Sequence, residues 1–79
     1  MSPTIFRERG FRFLFFSREE PRIHVHVQCA EGEAKFWIEP AVTPAKSQGL
    51  SAVDLRVVED IIKEHEDEIR TAWQTHFGG

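Results

Sequence analysis

The segment from Pro21 to Cys29 alternates between polar and apolar side chains with a period of two residues. This period is typical of a β-strand that turns one face into a core and the other face away from it. The apolar face carries Ile23, Val25, Val27 and Cys29, and the polar face carries His24, His26 and Gln28. The chain is therefore expected to contain a sheet, and the histidine face of that sheet needs an explanation of its own.

Similar patterns before and after this segment predict a sheet of about four strands. The predicted strands cover about residues 4–7, 11–16, 23–29 and 33–39. If residues 31–32 form a two-residue hairpin loop, His26 lies opposite Trp37 and His24 lies opposite Glu39. This register places both histidines and Trp37 on the same face of the sheet.

The second half of the chain reads as a linker followed by a helix. Residues 40–50 are polar and interrupted by proline and glycine, which predicts a linker rather than a strand. From about residue 51 to 77, apolar residues recur at steps of three and four, as in one amphipathic helix with room for a kink. Ser51 and Asp54 resemble a helix N-cap, and His65 falls on the apolar stripe, where we expect a hydrogen-bonded core histidine.

These elements predict an α+β fold. We expect an antiparallel β-meander of about four strands with one long C-terminal α-helix packed on one face. With 79 residues, the chain is expected to be a single domain whose core is only marginally sufficient, so a function would reside on a surface.

Cysteine content and hydropathy predict where such a protein resides. The only cysteine, Cys29, excludes an intrachain disulfide and a thiolate zinc cluster, and it fits a reducing cytoplasm. We find neither a signal-peptide pattern nor an apolar run long enough to span a membrane. A cytoplasmic protein without a membrane partner is therefore expected.

The net charge of −3 is unevenly distributed. Residues 1–50 carry seven Lys and Arg against six Asp and Glu, whereas residues 51–79 carry three against seven. This balance disfavours general electrostatic binding to nucleic acid. Bases could still stack on Trp37 and Phe16 beside Arg12 and Lys35 on an open sheet, so a nucleic-acid partner remains a disfavoured alternative.

The polar sheet face also carries large apolar side chains that a single helix on the other side would leave uncovered. An apolar patch with a polar rim is the composition expected of a binding site. The candidate partner-binding residues are Arg12, Leu14, Phe16, His24, His26, Lys35, Trp37 and Glu39. The occupant would be a second copy, since symmetric homodimers are the commonest assembly, or a different protein.

Several of these residues also allow a chemical interpretation. His24 or His26 together with Lys35 would supply the acid-base and cationic groups of a small metal-independent ribonuclease. His24, His26 and Glu39 would supply too few ligands for closed metal coordination, so neither a metal nor another cofactor is expected. The simplest interpretation is that both histidines are half-exposed strand residues that pack against Trp37.

Five segments, spread over nearly the whole chain, carry a resemblance to one protein family. They are Pro3–Arg7, Gly10–Phe13, Glu20–Pro21 with Ile23–Val27, Gly32–Pro40 and Gly49–Ser51. With these residues the sequence resembles the small bacterial proteins labelled domain of unknown function 4160. The resemblance implies a component of a two-gene module of the toxin–antitoxin kind, and it carries no established catalytic residues.

We therefore expect a non-enzymatic regulatory or interaction module that binds a protein partner through the sheet face opposite the helix. A component of a toxin–antitoxin-like pair and a phage-type inhibitor both fit this description. The alternative is a ribonuclease-type toxin that uses His24 or His26 with Lys35.

Overall fold

The computed structural model describes residues 4–15 and 21–77. Within these residues the chain is an α+β protein with a five-stranded antiparallel sheet and two helices. The elements are β1 (Thr4–Glu8), β2 (Phe11–Leu14), β3 (His24–Gln28), β4 (Glu33–Trp37), β5 (Thr43–Gln48), α1 (Ala52–Glu64) and α2 (Glu66–Phe77). The strands lie in the order β1-β2-β3-β4-β5, which is a simple meander.

A tight turn joins β1 to β2. Arg9 and Gly10 both have positive φ, 53° and 82°, as the favoured two-residue hairpin loops require. Glycine adopts this conformation without a steric penalty, whereas arginine rarely does. The hairpin brings Phe6 opposite Phe13, and their rings stack with centroids 4.6 Å apart.

The predicted register between β3 and β4 is wrong by two residues. His24 pairs with Trp37 and His26 pairs with Lys35, because the loop is longer than the expected two residues. The N–H of Cys29 donates to the carbonyl oxygen of Gly32 at 3.0 Å, which closes this loop. A shift of two residues preserves the side-chain alternation, so the division into an apolar and a polar face is unchanged.

The predicted linker contains a fifth strand. Thr43–Gln48 pairs antiparallel with β4 along the edge of the sheet, with a register irregularity between Lys35 and Phe36. Pro44 lies in this strand, and an edge position tolerates proline because its missing N–H is not needed for pairing. All six residues of β5 are exposed, so the sequence has no alternation that would reveal the strand.

The predicted single helix is divided into two. The Ser51 side chain accepts a hydrogen bond from the backbone N–H of Asp54 at 3.1 Å, which caps the start of α1 as expected. The interruption lies at His65, whose φ of −110° and ψ of 19° depart from helical values. Helical hydrogen bonding continues across it, because the N–H of Ile69 donates to the carbonyl oxygen of His65 at 2.9 Å.

The core lies between one face of the sheet and the two helices. The sheet contributes large buried side chains that include Phe13, Val25, Val27 and Phe36, and the helices contribute Val58, Ile61, Ile62, Ile69 and Trp73. The apolar side of the alternating segment therefore packs under the helices, as predicted. The polar side faces the other way, where the candidate site residues lie.

Candidate interaction surface

The sheet face opposite the helices, here called the polar face, is built from residues paired across neighbouring strands. One row runs through Leu14, His26, Lys35 and Lys46, and the adjoining row pairs His24 with Trp37. On the other side of the first row, Arg12 pairs with Gln28. Directly paired residues have their side chains on the same face, so this pairing brings both histidines and Trp37 together.

His24 lies on this face but is buried, with only 2% of its surface exposed. Its Nδ1 lies 2.8 Å from the carbonyl oxygen of Arg22, and its ring centroid is 5.7 Å from that of Trp37 and 5.1 Å from that of Trp73. Trp73 belongs to α2, so at this end of the sheet the polar face is not turned away from the helices. His24 therefore has a packing role and is not accessible to a partner or a substrate.

Leu14 and Phe16 were also expected at the contact surface. Leu14 is 1% exposed, so it cannot supply exposed apolar area. Phe16 lies outside the described residues. His26, Lys35 and Trp37 stay partly exposed and Lys46 is exposed, and these residues of β3, β4 and β5 are here called the accessible part of the polar face.

Trp37 is the aromatic centre of this accessible part. The guanidinium carbon of Arg22 lies 4.3 Å from its ring centroid, and the ammonium of Lys35 lies 4.4 Å from it. Both distances are within the range in which a cation is attracted by the electrons of an aromatic ring. Arg22 is also held in place because its Nε donates to the carbonyl oxygen of Glu39 at 2.6 Å.

Glu39, a predicted partner-binding residue and the acid considered beside His24 and His26 as a metal ligand, turns toward the helices. Its carboxylate lies 3.3 Å from the guanidinium of Arg70 in α2, and Arg70 also donates to the carbonyl oxygen of Ile38 at 3.1 Å. Among residues 4–15 and 21–77, no group of three or more His, Cys, Asp or Glu side chains is placed to hold a metal ion. Glu39 thus ties the end of β4 to α2.

A cavity of about 130 Å³ opens where β3, β4 and β5 lie side by side. Its polar lining comes from His26, Glu33, Lys35, Lys46, Ser47 and Gln48. The sequence interpretation did not include Glu33 among the site residues. It also missed Lys46, Ser47 and Gln48, because it assigned residues 40–50 to a linker. The only sequence signal that could have drawn attention to Lys46 was the larger number of Lys and Arg residues in residues 1–50 than in residues 51–79.

The two sides of the molecule carry opposite charge. The strand positions of the polar face include Arg7, Arg12, Lys35 and Lys46, against Glu33 as an acid. The helices carry Asp54, Glu59, Asp60, Glu64, Glu66, Asp67 and Glu68. The polar face is therefore basic, although the net charge of the whole chain is negative.

A second polar cluster lies at the helix break, away from the polar face. The Nε2 of His65 is 2.9 Å from the Glu8 carboxylate of β1, and its Nδ1 is 2.9 Å from the Glu68 carboxylate of α2. Hydrogen bonding to Glu68, then to Glu8, raises the pKa of His65 above 6.5. The expected hydrogen bonding of His65 is confirmed, but the side chain is 28% exposed and does not belong to the core. His65 joins three elements.

No helix of the described part of the chain has the length and apolar character needed to cross a membrane.

Comparisons with known proteins identify the family of this chain. No curated protein and no solved structure matches this chain. The family model described as a domain of unknown function, DUF4160, matches residues 10–74. Because this match covers most of the 79 residues, the chain belongs to the DUF4160 family.

Proposed function

We propose that this protein is an interaction module that binds an acidic protein partner through the accessible part of the polar face. The observation that carries the proposal is Trp37, a partly exposed indole flanked by the cations of Arg22 and Lys35. Tryptophan and arginine are the residues most often found at the energetic centres of protein interfaces. The surrounding basic residues would favour an acidic surface and speed its association.

The charge of the polar face argues for a different protein rather than a second copy. In a symmetric dimer the same patch occurs on both sides of the interface. If two copies docked through this face, the patch with Lys35 and Lys46 of one copy would face the same basic patch of the other. Like charges across an interface are unfavourable. An acidic partner encoded as the second member of a toxin–antitoxin-like pair, or the bacterial target of a phage-type inhibitor, would meet the electrostatic requirement in the cytoplasm.

The test is co-purification from the native host with the tagged chain and two charge-reversed variants. Lys35→Glu reverses a cation beside Trp37, and Arg56→Glu makes the same change at an exposed position of α1. We expect the wild type and Arg56→Glu to retain one acidic partner, and Lys35→Glu to retain at least about tenfold less. Retention should fall as salt is added, because exposed charge pairs are screened.

Two results would contradict this function. One is equal recovery of the partner with Lys35→Glu and Arg56→Glu, since the two variants differ only in which face they alter. The other is the absence of any partner of the wild type at low salt, together with cleavage of RNA by the purified protein. The second result would support the ribonuclease alternative.

A single observation favours that alternative. His26 lines the same cavity as Lys35 and Lys46, which places an imidazole beside cations that could stabilise a phosphate. His24 does not share this role because it is buried between two tryptophans. An RNA-cleaving activity would therefore depend on His26, which a comparison of His26→Ala with wild type on a uridine-containing oligonucleotide would establish.

A further inference from the structure

Arg22, one of the cations on Trp37, is held both at its side chain and at its backbone. The guanidinium that lies over the Trp37 ring donates to the carbonyl oxygen of Glu39 at 2.6 Å. The carbonyl oxygen of Arg22 lies 2.8 Å from Nδ1 of His24 and accepts a hydrogen bond from it, because a carbonyl cannot donate. The position of Arg22 on Trp37 therefore depends on what holds Glu39 and His24.

Two residues of α2 contact these two supports of Arg22. The guanidinium of Arg70 lies 3.3 Å from the Glu39 carboxylate and donates to the carbonyl oxygen of Ile38 at 3.1 Å. The ring of Trp73 packs on that of His24, with centroids 5.1 Å apart. Residues three apart in a helix lie on the same side, so one side of α2 reaches both supports.

The contacts of Arg70 affect how Arg22 enters an interface. Arg22 is exposed, and fixing a long exposed side chain in one position costs conformational entropy. A side chain that is already in place before association avoids this cost when the partner binds. Arg70 limits the movement of the Glu39 segment, and the carbonyl oxygen of Glu39 in turn holds the guanidinium of Arg22.

We propose that Arg70 is a positioning residue for partner binding, which holds Arg22 on Trp37 from α2 without touching the partner. The inference rests on the proposed function and adds α2 as the element that prepares its binding surface. Any change that displaces this end of α2 should therefore weaken partner binding, although no residue of α2 belongs to the polar face.

The first test needs no partner. Protons above an indole ring resonate upfield, so the side-chain NMR signals of Arg22 report its contact with Trp37. In Arg70→Gln we expect these signals to move toward their positions in Trp37→Ala, where the indole is absent. Lys63→Gln removes a cation that, like Arg70, pairs with a glutamate four residues before it, and should leave the signals unchanged. Unchanged Arg22 signals in Arg70→Gln would overturn the inference.

The second test is co-purification from the native host with Arg70→Gln, Arg22→Gln and the double variant. We expect Arg70→Gln alone to lower retention of the partner about two- to tenfold, the range for ordering one long side chain on binding. In the Arg22→Gln background the same substitution should have no further effect, because the group that Arg70 positions is already absent. An equal loss in both backgrounds would overturn the inference, since general destabilisation or a lost positive charge acts without Arg22.

Failure of this inference is distinguishable from failure of the proposed function. If Lys35→Glu loses the partner and Arg70→Gln retains it as the wild type does, the interaction module stands and Arg70 has no positioning role. If the wild type retains no partner, the proposed function fails. The role of Arg70 in partner binding then falls with it, even where the Arg22 signals respond to Arg70→Gln.

Discussion

His65 connects parts of the chain that are distant in sequence. It lies where α1 ends, and its two ring nitrogens reach the carboxylates of Glu8 and Glu68. Its ring also lies 4.3 Å from that of Phe6 in β1, measured between centroids. The residue therefore links the first strand to both helices, and its stabilising effect depends on whether the imidazole is protonated.

The pKa of His65 predicts how stability changes with pH. The two carboxylates raise the pKa above 6.5 in the folded state, so folding favours the protonated ring. This stabilisation is fully present below 6.5 and is lost as the pH rises through the folded-state pKa. We expect the difference in unfolding free energy between wild type and His65→Gln to be largest near about pH 5.5 and to shrink toward about pH 8.5.

Urea denaturation of both proteins across this pH range measures the difference. The double variant Glu8→Gln/Glu68→Gln serves as the control, because it keeps the imidazole and removes both carboxylates that raise its pKa. It should show the same weak pH dependence as His65→Gln. A wild-type advantage that increases with pH would be incompatible with the assigned hydrogen bonds.

At the scale of elements, β5 is held against the loop between β3 and β4 by a close approach of two glycine backbones. A Cβ at Gly32 would meet the carbonyl oxygen of Gln48, and a Cβ at Gly49 would meet the carbonyl oxygen of Glu31. Neither contact leaves room for a methyl group without a shift of backbone. These two glycines therefore position the edge strand that supplies Lys46.

Two glycine substitutions should separate this close approach from simple backbone strain. Gly10 and Gly49 have nearly equal positive φ, 82° and 83°, but a Cβ at Gly10 would have open space around it. We expect Gly49→Ala to lower the unfolding free energy by about 1–3 kcal/mol more than Gly10→Ala, the usual cost of overpacking. Equal losses in urea denaturation would show that the two backbones do not meet as described.

At the scale of the whole molecule, the two faces of the sheet differ in both charge and burial. One face is basic and partly exposed, and the other is buried under the acidic helices. Phe36 and Trp37 are neighbours in β4 that project to opposite sides. Phe36 is 0% exposed in the core, whereas Trp37 is only partly buried on the polar face. A chain of this size has little stability to spare, so the two positions should tolerate substitution very differently.

We expect Phe36→Ala to cost about 3–5 kcal/mol, as large-to-small changes at buried aromatic positions do, and to leave the chain largely unfolded. Trp37→Ala removes two cation contacts, each worth about 0.5–1 kcal/mol at an exposed site, and should remain folded. Circular dichroism during thermal unfolding distinguishes the two outcomes. A folded Phe36→Ala beside an unfolded Trp37→Ala would reverse the assignment of the sheet faces.

The sequence by itself determined which side chains share a face and where the helical region begins. Alternation in β3 and the Ser51 cap depend on neighbouring residues along the chain, so both are readable from local pattern. Only the tertiary structure decided the β3–β4 register, the strand at Thr43–Gln48 and the break at His65. Each depends on contacts between distant segments, and β5 in particular is defined by pairing with β4 rather than by burial of its own residues.

The same distinction applies to the candidate site. Alternation correctly grouped His24, His26 and Trp37 on one face, but it could not show that Trp73 of α2 covers His24. Burial depends on which distant side chain arrives at a position, and a local period carries no information about that. For the same reason, only the folded sheet placed Lys46 beside Lys35 and so revealed the cavity between β3, β4 and β5.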